Sequence, residues 1–171
     1  LRARKVTPRL SVILVGGNLS SSTYVGIKQQ RAKEVGIDFD LHHFGKNTRQ
    51  LEVIEMIKHL NTDEDVHGII VQLPLPVDWD IDRIMQTIAP QKDVDGLGSQ
   101  KFFRQPTPQA ILNLLAFHKI SLDGKRVAVI GYGRLVGRPL SKVLEQKHVS
   151  HTVYSPSHRN LDQCCLKEDI V

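Results

Sequence analysis

The chain has no apolar run near the roughly 20 residues that a membrane helix needs, which excludes a helical span within these 171 residues. It is also poor in cysteine. The two it has, Cys164 and Cys165, are neighbours. Adjacent cysteines lack the paired spacing of a zinc site and rarely bridge each other without strain, so they read as reduced thiols of a cytoplasmic type of protein with no metal site. Aromatic residues make up 5% of the sequence, and no basic run is interleaved with them. The net charge of +5 therefore does not describe a nucleic-acid surface. Scattered positive charge suits small anionic ligands, such as dinucleotides and carboxylate-bearing cofactors. The short basic start, Leu1–Pro8, has no secretory signal. The first residue is not Met, so further residues are expected before it. Internal repeats and low-complexity segments are absent from the sequence. What is there is a globular composition, 40% apolar and 24% charged.

Short apolar runs alternate with helical patterns. Arg9–Val15 (RLSVILV) reads as a buried strand ending at Gly16-Gly17. Ser20–Ser22 offers N-cap residues for a helix over Thr23–Val35, closed by Gly36. Ile37–Phe44 is a second strand, and Thr48 caps a helix running to about Leu60. Gly68–Gln72 (GIIVQ) is a third strand. Leu73-Pro74-Leu75-Pro76 then forbids a regular ladder. A short helix spans Ile81–Ile88, and Gln91–Pro106 is irregular. A further helix runs from Pro108 to Lys119, with Thr107 as N-cap and Pro108 at its first position. A second unit opens at Leu122: strand Arg126–Ile130, glycine turn, helix Leu135–Lys147 and strand Thr152–Tyr154. Asp169-Ile170-Val171 reads as the beginning of another strand. The fold class expected is α/β. An N-terminal parallel three-layer α/β domain occupies residues 1–120, and the incomplete start of a Rossmann-type dinucleotide-binding domain occupies 121–171.

Gly131-Tyr132-Gly133-Arg134-Leu135-Val136-Gly137 follows a strand and opens a helix. Glycines in such a turn let the backbone approach a pyrophosphate, and the helix N-terminus favours its charge. The spacing departs by one residue from the usual G-x-G-x-x-G, and a tight βα turn with no ligand gives the same pattern. About 20 residues on, NAD enzymes place an acid to hold the ribose. Here Tyr154-Ser155-Pro156-Ser157-His158-Arg159 carries hydroxyls, a His and an Arg but no acid. Ser155, Ser157 and Arg159 lean towards NADP, whose extra phosphate needs donors and positive charge. NAD stays possible.

A second constellation lies in the first unit. Tyr24 and Lys28 are four residues apart, so they share a helix face, with Ser21 just before them. Such a Tyr can stack on a flat heterocycle while the ammonium handles a proton. An ordinary exposed helix face reads the same way. Short-chain dehydrogenases also use Tyr-x-x-x-Lys, but there the glycine turn precedes the pair, the reverse of the order here. Gln72 ends the third strand, where open α/β sheets bind ligands. Asp93 and Asp95 flank Val94 before Gly96. Paired acids on one side of a loop can bind a cation. One acid meeting donors on a substrate ring while the other braces the loop suits this sequence better.

Taken together and in order, these strings resemble the methylenetetrahydrofolate dehydrogenase/methenyltetrahydrofolate cyclohydrolase family. The matching pieces are Val15-Gly16 before Ser21-x-x-Tyr24-x-x-x-Lys28, and Gly68-Ile-Ile-Val-Gln72-Leu73-Pro74-Leu-Pro76. They continue with Pro90-x-Lys92-Asp-Val-Asp95-Gly96, Pro106-Thr107-Pro108, and Gly131-x-x-x-x-Val136-Gly137-x-Pro139. The resemblance implies oxidation of 5,10-methylenetetrahydrofolate with NADP. It also implies hydrolysis of the methenyl product to 10-formyltetrahydrofolate, in one-carbon metabolism and purine biosynthesis. It casts Lys28 as the proton-transfer group, with Tyr24 packing on the folate, Gln72 tuning the lysine and Asp95 holding the pterin. Ser21, Leu73, Pro74, Pro106 and Thr107 line the substrate site. Gly131, Tyr132, Gly133, Arg134, Val136 and Gly137 cradle the cofactor. A cationic methenyl substrate beside Lys28 would disfavour a second positive charge and push the amine towards a basic role. The resemblance also implies a cytoplasmic homodimer. Three features depart from the pattern: a short stretch between Gly96 and Pro106, Tyr132-Gly133 in place of Arg-Ser, and Gln105-Pro106-Thr107-Pro108 where the family has Pro-Cys-Thr-Pro. The same strings leave open a cyclohydrolase alone, or a non-catalytic folate- or nucleotide-binding module.

Overall fold

A computed structural model describes residues 6–100 and 102–171. The chain divides into two compact units, residues 1–104 and 105–171. That division assigns the helix beginning at Pro106 to the second unit, whereas a boundary near residue 120 assigns it to the first.

In the first unit, β1 (Arg9–Val15) is the central strand of a parallel sheet, between β2 (Asp38–Phe44) and β3 (Gly68–Val71). Val12 pairs in register with Leu41 on one side and with Ile70 on the other. The centre of β1 is continuously apolar because both faces of the sheet are covered. Ile13 and Val15 pack with Val53, Ile57 and Leu60 of α2 (Gln50–Thr62) and with Ile84 and Met85 of α3 (Ile81–Thr87). Val12, Leu14 and Ile70 pack on the other face against Val25 of α1 (Leu19–Glu34). The result is the three-layer α/β arrangement, with the strands' carboxyl ends opening on one edge.

Helix starts differ from the sequence reading where a better cap lies upstream. The first helix begins at Leu19 rather than Thr23, because Asn18 accepts a hydrogen bond from the Ser20 N–H at 2.9 Å. This draws Ser20–Ser22 into the first turn. The second begins after Arg49 rather than Thr48, and the Glu52 carboxylate accepts from the Arg49 N–H at 3.1 Å. Strand β3 ends at Val71, one residue before Gln72, although the Gln72 N–H still donates to Ile13 O at 2.8 Å.

In the second unit, α4 is Pro106–Phe117, with Gln105 rather than Thr107 at the N-cap and Pro106 rather than Pro108 at the first position. Pro106 fixes its own φ and forces Gln105 into extended backbone (φ −61°, ψ 128°), so the helix starts there. Strands β4 (Arg126–Ile130) and β5 (Ser150–Tyr154) pair in parallel around α5 (Gly137–Gln146). This is the βαβ start expected of a Rossmann-type unit. Val127, Val129 and Leu144 form its core. Residues 134–136 belong to the turn, so α5 starts at Gly137 and not at Leu135. A five-residue helix absent from the sequence reading, α6 (Leu161–Cys165), follows. Ile170 then bridges in parallel to Val127, and the Ala128 N–H donates to Ile170 O at 2.8 Å, which makes residue 170 the start of strand pairing on the free side of β4.

Candidate functional site

The carboxyl edge of a parallel sheet is where successive βα loops converge. Lys28, on the third turn of α1, and Gln72, just past β3, meet there although 44 residues separate them. Lys28 Nζ donates to Gln72 Oε1 at 3.1 Å. Gln72 is fixed at both ends: its amide Nε2 donates to Leu73 O at 2.7 Å, and its main-chain N–H is tied to β1. That orients the carboxamide oxygen towards the lysine. The Leu73–Pro74 peptide is cis. Leu73 packs on the core of the first unit, while Pro74 faces outwards.

The acidic loop is pinned from below. Lys92 Nζ donates to Leu60 O at 2.9 Å and to Asp63 O at 2.6 Å. The Ile69 N–H donates to Lys92 O at 2.7 Å, continuing the pairing of β3 into the loop. The two aspartates then divide. Asp93 is 3% exposed and accepts from the Gly98 N–H at 2.8 Å and the Leu97 N–H at 3.3 Å. It holds the loop closed. Asp95 is half-buried. Desolvation pushes its carboxyl above the ordinary value of 3.8, against the pull of Lys28 and reinforced by the nearby charge of Asp93. Among the described residues no three or more His, Cys, Asp or Glu side chains gather as a metal-binding group.

Ser21 is 4% exposed within α1, whereas the Tyr24 ring is 61% exposed, one turn before Lys28. An exposed, flat ring on the helix face of an amine tied to an amide can stack on a heterocycle. A pocket of about 310 Å³ lies at the same strand ends, lined by Val15, Gly16, Gly17, Asn18, Lys46, Pro74 and Pro76. Asn18 and Lys46 were not singled out from the sequence. The signal that could have found them is topological: Lys46 follows β2 and Asn18 follows β1, so a parallel sheet puts both at one edge. Pro106 and Thr107 occupy the first turn of α4 in the second unit, where both are exposed.

In the second unit the glycine turn is shaped by close backbone approach. Gly131 has φ 90°, and a Cβ on Gly137 would overlap the Gly131 carbonyl oxygen. Only glycine at 137 lets α5 begin so near its strand. Gly133, Arg134 and Val136 line, with α4 and Ile170, a cavity of about 610 Å³. Beside the turn, Ser155 and Ser157 share a hydroxyl–hydroxyl hydrogen bond of 2.9 Å, and Arg159 is exposed. Cys164 and Cys165 are free thiols, and Cys164 Sγ lies 3.9 Å from His158 Nδ1.

Residues 1–95 match the family model for the tetrahydrofolate dehydrogenase/cyclohydrolase catalytic domain, and residues 105–171 match the model for its NAD(P)-binding domain. The chain belongs to the tetrahydrofolate dehydrogenase/cyclohydrolase family. Among its relatives, the bifunctional protein FolD of Macrococcus caseolyticus is 36% identical over 180 aligned positions, which cover 100% of this chain and 64% of that protein. The crystal structure of the bifunctional FolD enzyme of Campylobacter jejuni superposes with a TM-score of 0.88 at 34% identity, covering 95% of this chain and 61% of that one. The Trypanosoma brucei FolD, complexed with NADP cofactor and inhibitor, superposes at 0.91 with 28% identity, covering 99% of this chain and 62% of that one. The family member described here thus spans less than two thirds of the length of these relatives.

Proposed function

We propose that this chain carries the reaction centre of a bifunctional enzyme that oxidises 5,10-methylenetetrahydrofolate with NADP and hydrolyses the methenyl product to 10-formyltetrahydrofolate. The observation that carries the proposal is the 3.1 Å bond from Lys28 to Gln72, in electrostatic reach of Asp95, at the carboxyl edge of the first sheet. Binding alone needs no lysine at that point, whereas proton transfer does.

In this reading Tyr24 packs its exposed ring on the folate. Asp95 meets the donors of the pterin, which repay the desolvation of its carboxylate. Ser21, Leu73 and Pro74 complete the wall. During hydrolysis, Lys28 takes a proton from the water that adds to the methenyl carbon and returns one as the ring opens. Gln72 holds the amine in line and, being neutral, leaves it free to change protonation. A dinucleotide suits the glycine turn: Gly131 and Gly137 approach so closely that no side chain intrudes there, and a helix N-terminus after such a turn favours a pyrophosphate. NADP, when bound, supplies the hydride acceptor. Gly131, Tyr132, Gly133, Arg134, Val136 and Gly137 would hold its pyrophosphate, and Ser155, Ser157 and Arg159 its ribose phosphate. A homodimer in the cytoplasm, serving purine biosynthesis, belongs to the same proposal and is supported by the sequence resemblance.

The test is a spectrophotometric assay with methylenetetrahydrofolate and either NADP or NAD, alongside methenyl hydrolysis. Reduction of neither cofactor would sink the dehydrogenase claim. Lys28→Ala is expected to abolish hydrolysis while folate still binds. Retained hydrolysis removes Lys28 from its role.

A further inference from the structure

The glycine turn carries a side-chain arrangement that the motif does not require. Arg138, the second residue of α5, folds back over the turn. Its Nε donates to the Tyr132 carbonyl oxygen at 3.1 Å, and its guanidinium carbon stands 5.5 Å from the centre of the Tyr132 ring. Its backbone N–H closes the same turn by donating to Gly133 O at 3.1 Å. No carboxylate pairs with it among the described residues. An arginine held by a ring face and a carbonyl gives up much of its conformational freedom before any ligand arrives, so less is lost when its remaining N–H groups bind.

The surroundings say which kind of group this cation faces. No acid occurs from Lys125 to Leu144 or from Gln146 to Leu161. The whole connection from β4 through the loop after β5 therefore contributes only positive or neutral side chains, apart from Glu145 at the far end of α5. The two loops also adjoin: a Cβ on Gly131 would lie 3.6 Å from the Pro156 ring, between Ser155 and Ser157. Tyr132 follows Gly131 directly, so its backbone, with the Arg138 Nε bonded to its carbonyl, stands where the glycine turn adjoins the loop after β5, the place where a dinucleotide fold receives the adenosine ribose.

We propose that Arg138, positioned by the Tyr132 ring, meets the ribose 2′-phosphate and sets the preference of this chain for NADP over NAD. The proposal rests on the dinucleotide reading above and adds a residue to it. A guanidinium–phosphate pair carries charge-assisted, often bidentate hydrogen bonds, whereas NAD offers only a neutral hydroxyl at that position. Tyr132 acts through the arginine, as a positioning residue.

The experiment titrates the full chain with NADP, NAD, adenosine 2′,5′-bisphosphate and 5′-AMP by calorimetry, with thermal melting as the folding control. Arg138→Ala is expected to weaken NADP and the bisphosphate by about tenfold or more, leaving NAD and 5′-AMP within about twofold. Arg138→Lys recovers part of the loss. Tyr132→Ala moves the way Arg138→Ala does, and Tyr132→Phe, which restores the ring, recovers part of that loss. An equal loss for both members of each pair, or no loss with the fold intact, overturns the assignment of Arg138 and leaves the dinucleotide site standing. If the parent chain binds none of the four ligands, the dinucleotide reading falls and this proposal with it.

Discussion

Replacing Gln72 by Glu tests the lysine's chemistry more sharply than deleting it. The substitution keeps the shape of the side chain and puts a negative charge where a neutral amide oxygen now lies, 3.1 Å from Lys28 Nζ. At that separation a unit charge pair is worth about 1 kcal/mol in bulk water and about 5 kcal/mol at an effective dielectric of 20. The pair is half-buried at the edge of the sheet, so the lower half of that range applies, about 1 to 3 kcal/mol in favour of the ammonium form. Each 1.4 kcal/mol corresponds to about one pH unit. If hydrolysis needs the free amine, its rising limb should move up by about one to two pH units. At a fixed pH below that limb, the rate should fall about ten- to a hundredfold. The assay is the pH profile of methenyltetrahydrofolate hydrolysis for Gln72→Glu and the parent, with folate affinity measured in parallel. A profile that stays in place while affinity is kept, or that moves to lower pH, would refute the reasoning.

Asp95→Asn should raise stability at neutral pH, since burial holds the Asp95 carboxyl above 3.8. For such a group the folded state binds the proton more tightly than the unfolded chain, so stability falls as pH rises from 3.8 through the higher folded value. The advantage of the Asn variant in urea unfolding should therefore be largest near pH 7 and vanish below 3.8. A variant less stable than the parent at pH 7 contradicts it. Gly137→Ala places a methyl group against the Gly131 carbonyl oxygen, and such overpacking costs about 1–3 kcal/mol. Chemical unfolding should report that loss, and calorimetry a weakened dinucleotide. Unchanged values for both would mean that the close approach at this turn does not matter.

The order of strands and helices was legible because it is written locally. Runs such as RLSVILV and GIIVQ are continuously apolar over Val12–Val15 and Ile69–Val71 since both faces of their sheet are covered, and a glycine closes several of the segments. The short strings around Gln72, Asp95 and Gly137 identified the family on the same local terms. Helix starts were less legible, because a cap is decided by which of several polar residues reaches a free N–H. Asn18 outcompetes the serines after it, and Pro106 overrides Thr107.

By itself, then, the sequence determined the order of the main elements, the parallel α/β class and the candidate residues for the chemistry. Only the tertiary structure decided how those residues meet. Lys28 reaches Gln72 because the register of β1 against β3 brings the start of one loop beside a helix 44 residues away. Asp93 and Asp95, alike in sequence, separate into a buried brace and a group facing the lysine because Lys92 pins the loop beneath them. Arg138 turns onto Tyr132 because a helix begun at a glycine starts close enough to its strand for the side chain to fold back. Hydrophobic periodicity records which face of an element is buried and is silent about its partner across the sheet. That partner is chosen by strand register and loop closure, which involve residues far apart in the chain.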